Sequence, residues 1–325
     1  MPRLKQSVRR GIEKVFRPIS YQKSEVPFRA YESLAAVRGT ESDPSSLIAA
    51  SISEGRPLCI TRFGRTELQV AQRWKSKNLG GVGWQTLDSL ATGDPYFYFS
   101  RATTLLEGTG IRPMNAQNAE RFYDLTIDCL GSVDILGSWA PGEAWFGDEL
   151  QKARIVTLMD LEPYRSERPW SSSLQHRSVL VVHPYAESIT SQYKQHGDAL
   201  FGFRGVLPDF ALSTYVPPQA YFGEVPDADA WFTQLERMVA DLADLRFDVA
   251  IIGAGPFGMP LAAAVKRMGR QAIHLGGATQ LLFGILGSRW INDPGVRPLI
   301  NTLWTRPLPQ ETPEIATQVE RSAYW

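Results

Sequence analysis

Apolar residues along the chain come in two alternating rhythms. Short, nearly unbroken runs predict strands buried on both faces: Pro57 to Thr61 (PLCIT), Val133 to Leu136, Arg154 to Met159, Ser178 to His183 (SVLVVH), Phe247 to Ile252 (FDVAII) and Gln271 to Leu275. Between them lie helical patterns. Asp43-Pro44 reads as an N-cap with proline in the first turn, and Gly55 follows that helix. Asn115 to Leu130 is a second helix, ended by Gly131, and Met259 to Met268 is another. The clearest stripe is Trp231, Leu235, Met238, Val239, Leu242 and Leu245 within Asp227 to Arg246. Strands alternating with helices predict an α/β protein with a mostly parallel sheet covered on both faces.

Two polar, proline-rich stretches, Glu162 to Ser173 and Pro217 to Asp229, read as long surface loops, the first a candidate separation between two lobes. The expected division is a basic amphipathic helix and linker over 1–40, a catalytic body over 41–304, and a tail over 305–325 packed on the surface. In the first part Leu4, Val8, Ile12, Val15 and Phe16 share helical spacing, with Lys5, Arg9, Arg10, Lys14 and Arg17 on the other positions. Such a helix over residues 1–19 suits peripheral contact with an anionic membrane surface, or docking on the body or on a second copy in a homo-oligomer.

Charge narrows the function classes. The 325 residues carry 34 basic and 34 acidic side chains, so no net charge favours a nucleic-acid partner. The two cysteines, Cys59 and Cys129, each sit in an apolar stretch and read as buried free thiols of a reducing compartment. No apolar run approaches the ~20 residues of a membrane span, and no leader with an apolar centre opens the chain, so a cytoplasmic protein is expected, with the inner membrane face as its one candidate surface.

Candidate chemistry clusters at strand ends. Gly253-Ala254-Gly255-Pro256-Phe257-Gly258 matches GxGxxG after a strand and before a helix, the context of a phosphate-binding turn. The alternative is that Gly253, Gly255 and Gly258 serve only helix–strand packing. A dinucleotide site also needs an acid at the end of the next strand, but that strand ends Ile273-His274-Leu275-Gly276-Gly277. NAD(P) is therefore disfavoured while phosphate remains. Gly276 and Gly277 would let a ligand approach the backbone, and Thr279 and Gln280 would donate or accept hydrogen bonds from a sugar or base; a plain tight turn is the competing reading. His183 ends a strand and is the candidate general base, a satisfied structural histidine being the competing reading. Glu143, in the glycine-flanked segment Gly142 to Glu149, is a reserve catalytic carboxylate, or an acid favouring a helix start.

Thr61-Arg62-Phe63-Gly64-Arg65-Thr66-Glu67-Leu68 resembles the signature of GT-D-type glycosyltransferases, an arginine-phenylalanine-glycine-aspartate-glycine-glutamate segment after the first core strand. Val179 to Tyr185, Asp248 to Gly258 and His274 to Gly284 through Arg289-Trp290 resemble proteins of bacterial polysaccharide biosynthesis clusters. The likeness spans roughly Pro57 to Trp290. It implies a Rossmann-like fold, a nucleotide-sugar donor, a glycan acceptor and work on a surface glycan such as capsule, O-antigen or exopolysaccharide. It also implies a divalent metal (Mn or Mg) on an Asp-x-Glu pair. Here Arg65 replaces the aspartate, leaving Glu67 as the single metal-ligand candidate and the key carboxylate. Arg62 and Arg65, with Gly64, would then neutralise the donor diphosphate directly. Two other classes stay open: an NAD(P)-linked oxidoreductase, and a catalytically idle nucleotide-binding assembly protein.

Overall fold

The strand-forming runs pair into a single sheet. In a computed structural model, which describes residues 32–78, 111, 116–218 and 230–312, seven parallel strands stand in the order β3-β2-β1-β7-β6-β4-β5. They are β1 (Leu58–Thr61), β2 (Ile135–Ser138), β3 (Arg154–Thr157), β4 (Ser178–Val182), β5 (Ala211–Tyr215), β6 (Val249–Ile252) and β7 (Gln271–His274). Every residue of β1, β2, β6 and β7 is buried, as strands covered on both faces must be. This is a doubly wound, Rossmann-like α/β fold.

Eight helices accompany the described strands: α1 (Leu34–Arg38), α2 (Pro44–Ser53), α3 (Arg65–Asn78), α4 (Ala116–Leu130), α5 (Ala186–Gln195), α6 (Ala230–Asp244), α7 (Gly258–Arg267) and α8 (Ala278–Leu282). One face of the sheet packs against α3, α4, α6 and α7 through Leu68, Phe122, Trp231, Leu235, Leu261 and Val265. The other packs against α2, α5 and α8 through Ile48, Ile52, Ile189 and Leu282. The Asp43 cap on α2 is present: its side chain accepts from Ser46 N–H at 3.1 Å, with Pro44 in the first turn.

The side on which each strand's chain leaves locates a crevice. From β1 and β6 the chain passes to α3 and α7 on the first face; from β7 and β4 it passes to α8 and α5 on the second. The order β1-β7-β6-β4 therefore alternates faces at its carboxyl edge. Neighbouring connections part there, which is where ligands bind in open α/β sheets.

Two expectations are corrected. Glu162 to Ser173 is not an exposed loop between lobes: it folds into short 3-10 turns at Pro163–Arg165 and Trp170–Leu174. Tyr164, Trp170 and Ser171 are buried there, and Trp170 Nε1 donates to Leu161 O at 3.2 Å. Large aromatic side chains supply the burial that the polar composition hides. The body also begins before residue 41. Leu34 is in the core, Arg38 Nη1 donates to Leu150 O at 2.8 Å, and Glu41 N–H donates to Ile155 O at 2.9 Å.

Residues 305–312 do lie on the body, bridging Thr305 to Ile285 and placing the Glu311 carboxylate on Glu187 N–H (2.7 Å) at the start of α5. The amphipathic stretch over 1–19, most of the loop over 217–229 and the tail beyond 312 lie outside the described residues. Among the described residues no helix is long and apolar enough to cross a membrane.

Candidate functional site

Two adjacent strands of the carboxyl edge end in polar residues that meet. Thr61, last in β1, shares a hydrogen bond between its Oγ1 and Nδ1 of His274, last in β7, at 3.0 Å; both side chains are buried. The His274 ring lies against the start of α7. A Cβ on Gly258 would sit 2.1 Å from its Nε2, so glycine here is what lets ring and helix touch. Burial, with the Arg62 guanidinium as a second cause, lowers His274 from 6.5 to about 3, and the ring is neutral near pH 7.

Arg62 leaves β1 at the junction with β7. Its Cζ stands 5.2 Å from the centroid of the Trp139 ring, and Trp139 Nε1 donates to Phe63 O at 3.0 Å. The guanidinium also reaches the second glycine pair: a Cβ on Gly276 would lie 3.7 Å from its Cζ and Nη1. Gly276 has φ +61, a left-handed conformation that glycine adopts freely, and Gly277 is the N-cap of α8. The Arg62 cation thus stands against the Gly276 backbone at the switch between β1 and β7.

The rest of the signature segment starts α3. Gly64 O accepts from Leu68 N–H at 3.0 Å, making Gly64 the cap residue and Glu67 the third residue of the helix. The Glu67 carboxylate folds back over Gly64, where an added Cβ would be 1.9 Å from Oε2. That is the place a capping box gives to a glutamate at this position. Arg65 begins α3 and is exposed. Glu67 and Arg65 do not make the Asp-x-Glu pair, and among the described residues no group of three or more His, Cys, Asp or Glu side chains is placed to hold a metal. The donor set does not fit a divalent centre.

His183 follows β4 and is also buried. Tyr185 N–H donates to its Nδ1 at 3.0 Å, and the Tyr185 ring packs 4.8 Å from the imidazole, centroid to centroid. Burial lowers His183 from 6.5 to about 3. A neutral ring whose Nδ1 accepts carries its proton on Nε2. His183 therefore presents a donor at Nε2, and its one ring lone pair, on Nδ1, is engaged by Tyr185 N–H.

The fingerprint loop explains itself largely by these rings. A Cβ on Gly253 would be 2.6 Å from His183 Cδ2 and 2.6 Å from Thr279 Oγ1. Gly253 and Gly258 are thus set by close approach of side chains. Gly255 has φ +52 and open space around it. Thr279 is fully buried and its Oγ1 has no hydrogen-bond partner. Gln280 is turned inward, with Nε2 donating to Ile285 O at 3.1 Å.

Glu143 is fully buried, and its carboxylate ties three segments together. Oε1 accepts from Trp139 N–H (3.0 Å) and Ala140 N–H (2.9 Å). Oε2 accepts from Leu34 N–H (3.3 Å) and from the Ser138 hydroxyl. Held by these donors, Glu143 fixes the turn after β2 against α1.

Sequence reasoning passed over Thr61 and Trp139. The signal for Thr61 was a polar residue closing an apolar strand; Trp139 had none beyond following a strand. Arg62, His274, Gly276, Thr279, Gly253 and His183 come together along the carboxyl edge of a Rossmann-like sheet, and the fold is that of an α/β protein. Comparisons with family models, with curated proteins and with solved structures returned no match.

Proposed function

We propose that the chain is a glycosyltransferase that takes a nucleotide-sugar donor and works in bacterial surface-polysaccharide assembly. The observation that carries this reading is the Arg62 guanidinium, stacked on Trp139 and set against Gly276 where β1 and β7 part. Glycosyl transfer from a nucleotide sugar releases a diphosphate, and stabilising that departing charge is the chief electrostatic task. A guanidinium fork beside approachable backbone suits it. The sequence resemblance of the Arg62–Glu67 segment points the same way.

Among the described residues no metal-ligand set is placed, and Arg62 is the group that would meet the leaving diphosphate. Glu67, in the same segment as Arg62, is the carboxylate that would receive the acceptor's proton. Its capping position gives the idle nucleotide-binding protein a specific observation in its favour.

Turnover separates the two. Release of the nucleotide is measured with a glycan acceptor: the nucleoside diphosphate from UDP-, GDP- and dTDP-sugars, and CMP from CMP-sugars. Arg62→Gln is expected to lower the rate roughly 10- to 100-fold, the worth of a charge-assisted contact. Glu67→Gln keeps the shape and the cap and is expected to remove turnover while leaving the melting point in place. No release from any donor, or an unchanged rate in Glu67→Gln, would favour the idle protein.

A further inference from the structure

The crevice has two chemically different ends. Arg62 stands at the β1–β7 end and brings a full positive charge. At the β6–β4 end the polar groups are neutral: the His183 ring and the Thr279 hydroxyl, converging on Gly253. Each comes from a separate part of the chain, after β4, after β6 and from α8. The absence of a side chain on Gly253 is what allows all three to meet.

We propose that this end is a sugar subsite: His183 Nε2–H and Thr279 Oγ1 hold a hydroxyl of the donor's glycosyl group, while Arg62 holds its diphosphate. The inference rests on the glycosyltransferase reading and adds which end takes which part of the donor. Two observations support it. Tyr185 N–H occupies Nδ1 of His183, which fixes the ring as a donor. Thr279 Oγ1 is sealed from water with no partner, and a buried hydroxyl in that state is either a loss to stability or a recognition group. A sugar hydroxyl both donates and accepts, so one such group satisfies the ring N–H and the threonine together. A phosphate would bring two or more charges against two neutral groups, which desolvation opposes.

Thr279→Val keeps the side-chain shape and removes only the hydroxyl. A purely structural hydroxyl would be missed by the fold; an unpartnered one would not, so the melting point is expected to stay or rise. His183→Asn is the second variant, because its amide keeps an acceptor for Tyr185 N–H and lacks the Nε2 donor. The readout is the dissociation constant for paired probes, UDP with UDP-glucose, GDP with GDP-mannose and dTDP with dTDP-glucose, by calorimetry on the full chain.

The expected result is a roughly 10-fold weaker hold on the nucleotide-sugar in each variant, with the matching nucleoside diphosphate bound as in the parent. Arg62→Gln should weaken both members of a pair. Equal weakening of both probes by Thr279→Val would overturn the sugar subsite and leave the diphosphate reading standing, as would unchanged affinity for both. A lowered melting point without loss of sugar selectivity would assign the hydroxyl to the fold. A parent protein that binds none of the probes would sink both readings.

Discussion

At pH 5 the protein is expected to be about 4 kcal/mol less stable than at pH 7, about 2 kcal/mol for each of two histidines. His183 and His274 end neighbouring parts of the sheet, fully buried, and each is lowered from 6.5 to about 3, by burial first. In the unfolded chain both rings take a proton as the pH falls through their ordinary range. The folded chain keeps them neutral until far lower pH. The unfolded state thus binds more protons across that window, and stability falls as pH falls. The stabilisation is complete above 6.5 and drains away between there and about 3. Urea unfolding at pH 7, 6 and 5 tests this. A midpoint that moves steadily down bears out two neutral buried rings, and a flat profile across the window would mean that they are solvated or already charged.

Glu143→Ala is the second large effect, with an expected loss of at least ~3 kcal/mol. The carboxylate receives three backbone N–H groups and the Ser138 hydroxyl. Its removal leaves those donors buried without an acceptor and opens a void between α1 and the turn after β2. Leu34 and Ala35, whose N–H groups bind Glu143 and Ser138, would come away from the sheet. Because Trp139 carries Arg62 on its face, ligand binding should weaken along with the fold. Equilibrium unfolding in urea measures the first part. A change below ~1 kcal/mol would show that the α1 segment is held chiefly by its apolar contact through Leu34.

The strands were legible where the sheet is deepest. Ser178 to His183 and Phe247 to Ile252 give β4 and β6, each flanked by a strand on both sides, where both faces must be apolar, and their runs are nearly unbroken. β5 escaped notice because it is an edge strand, and Ala211-Leu212-Ser213-Thr214-Tyr215 shows the polarity an exposed edge tolerates. α3 was hidden for another reason: its first turn was taken up by the signature motif, and its composition is mostly polar.

At the site, the glycine loop could be placed between strand and helix from its pattern alone. Its purpose could not. Gly258 and Gly253 are shaped by the rings of His274 and His183, contacts between distant parts of the chain that no local pattern records. Thr61 and His274 are 213 residues apart and meet only because β1 pairs with β7. Glu143 carried the composition of a catalytic acid, and only its hydrogen-bond partners reveal a structural tie.

The most direct test of the central claim, a crevice in which Arg62 receives a donor diphosphate without a metal, is a thermal-shift screen of the full chain. UDP-, GDP-, CMP- and dTDP-sugars and NAD(P) are each compared with and without Mn²⁺. Ligand that binds only the folded state adds about 2.7 kcal/mol of stability at a hundredfold excess over its dissociation constant, which a melting curve registers. The account predicts a rise with a nucleotide-sugar, equal in the presence and absence of Mn²⁺ and lost in Arg62→Gln. A rise only with NAD(P), one that requires Mn²⁺, or none with any nucleotide-sugar would contradict it.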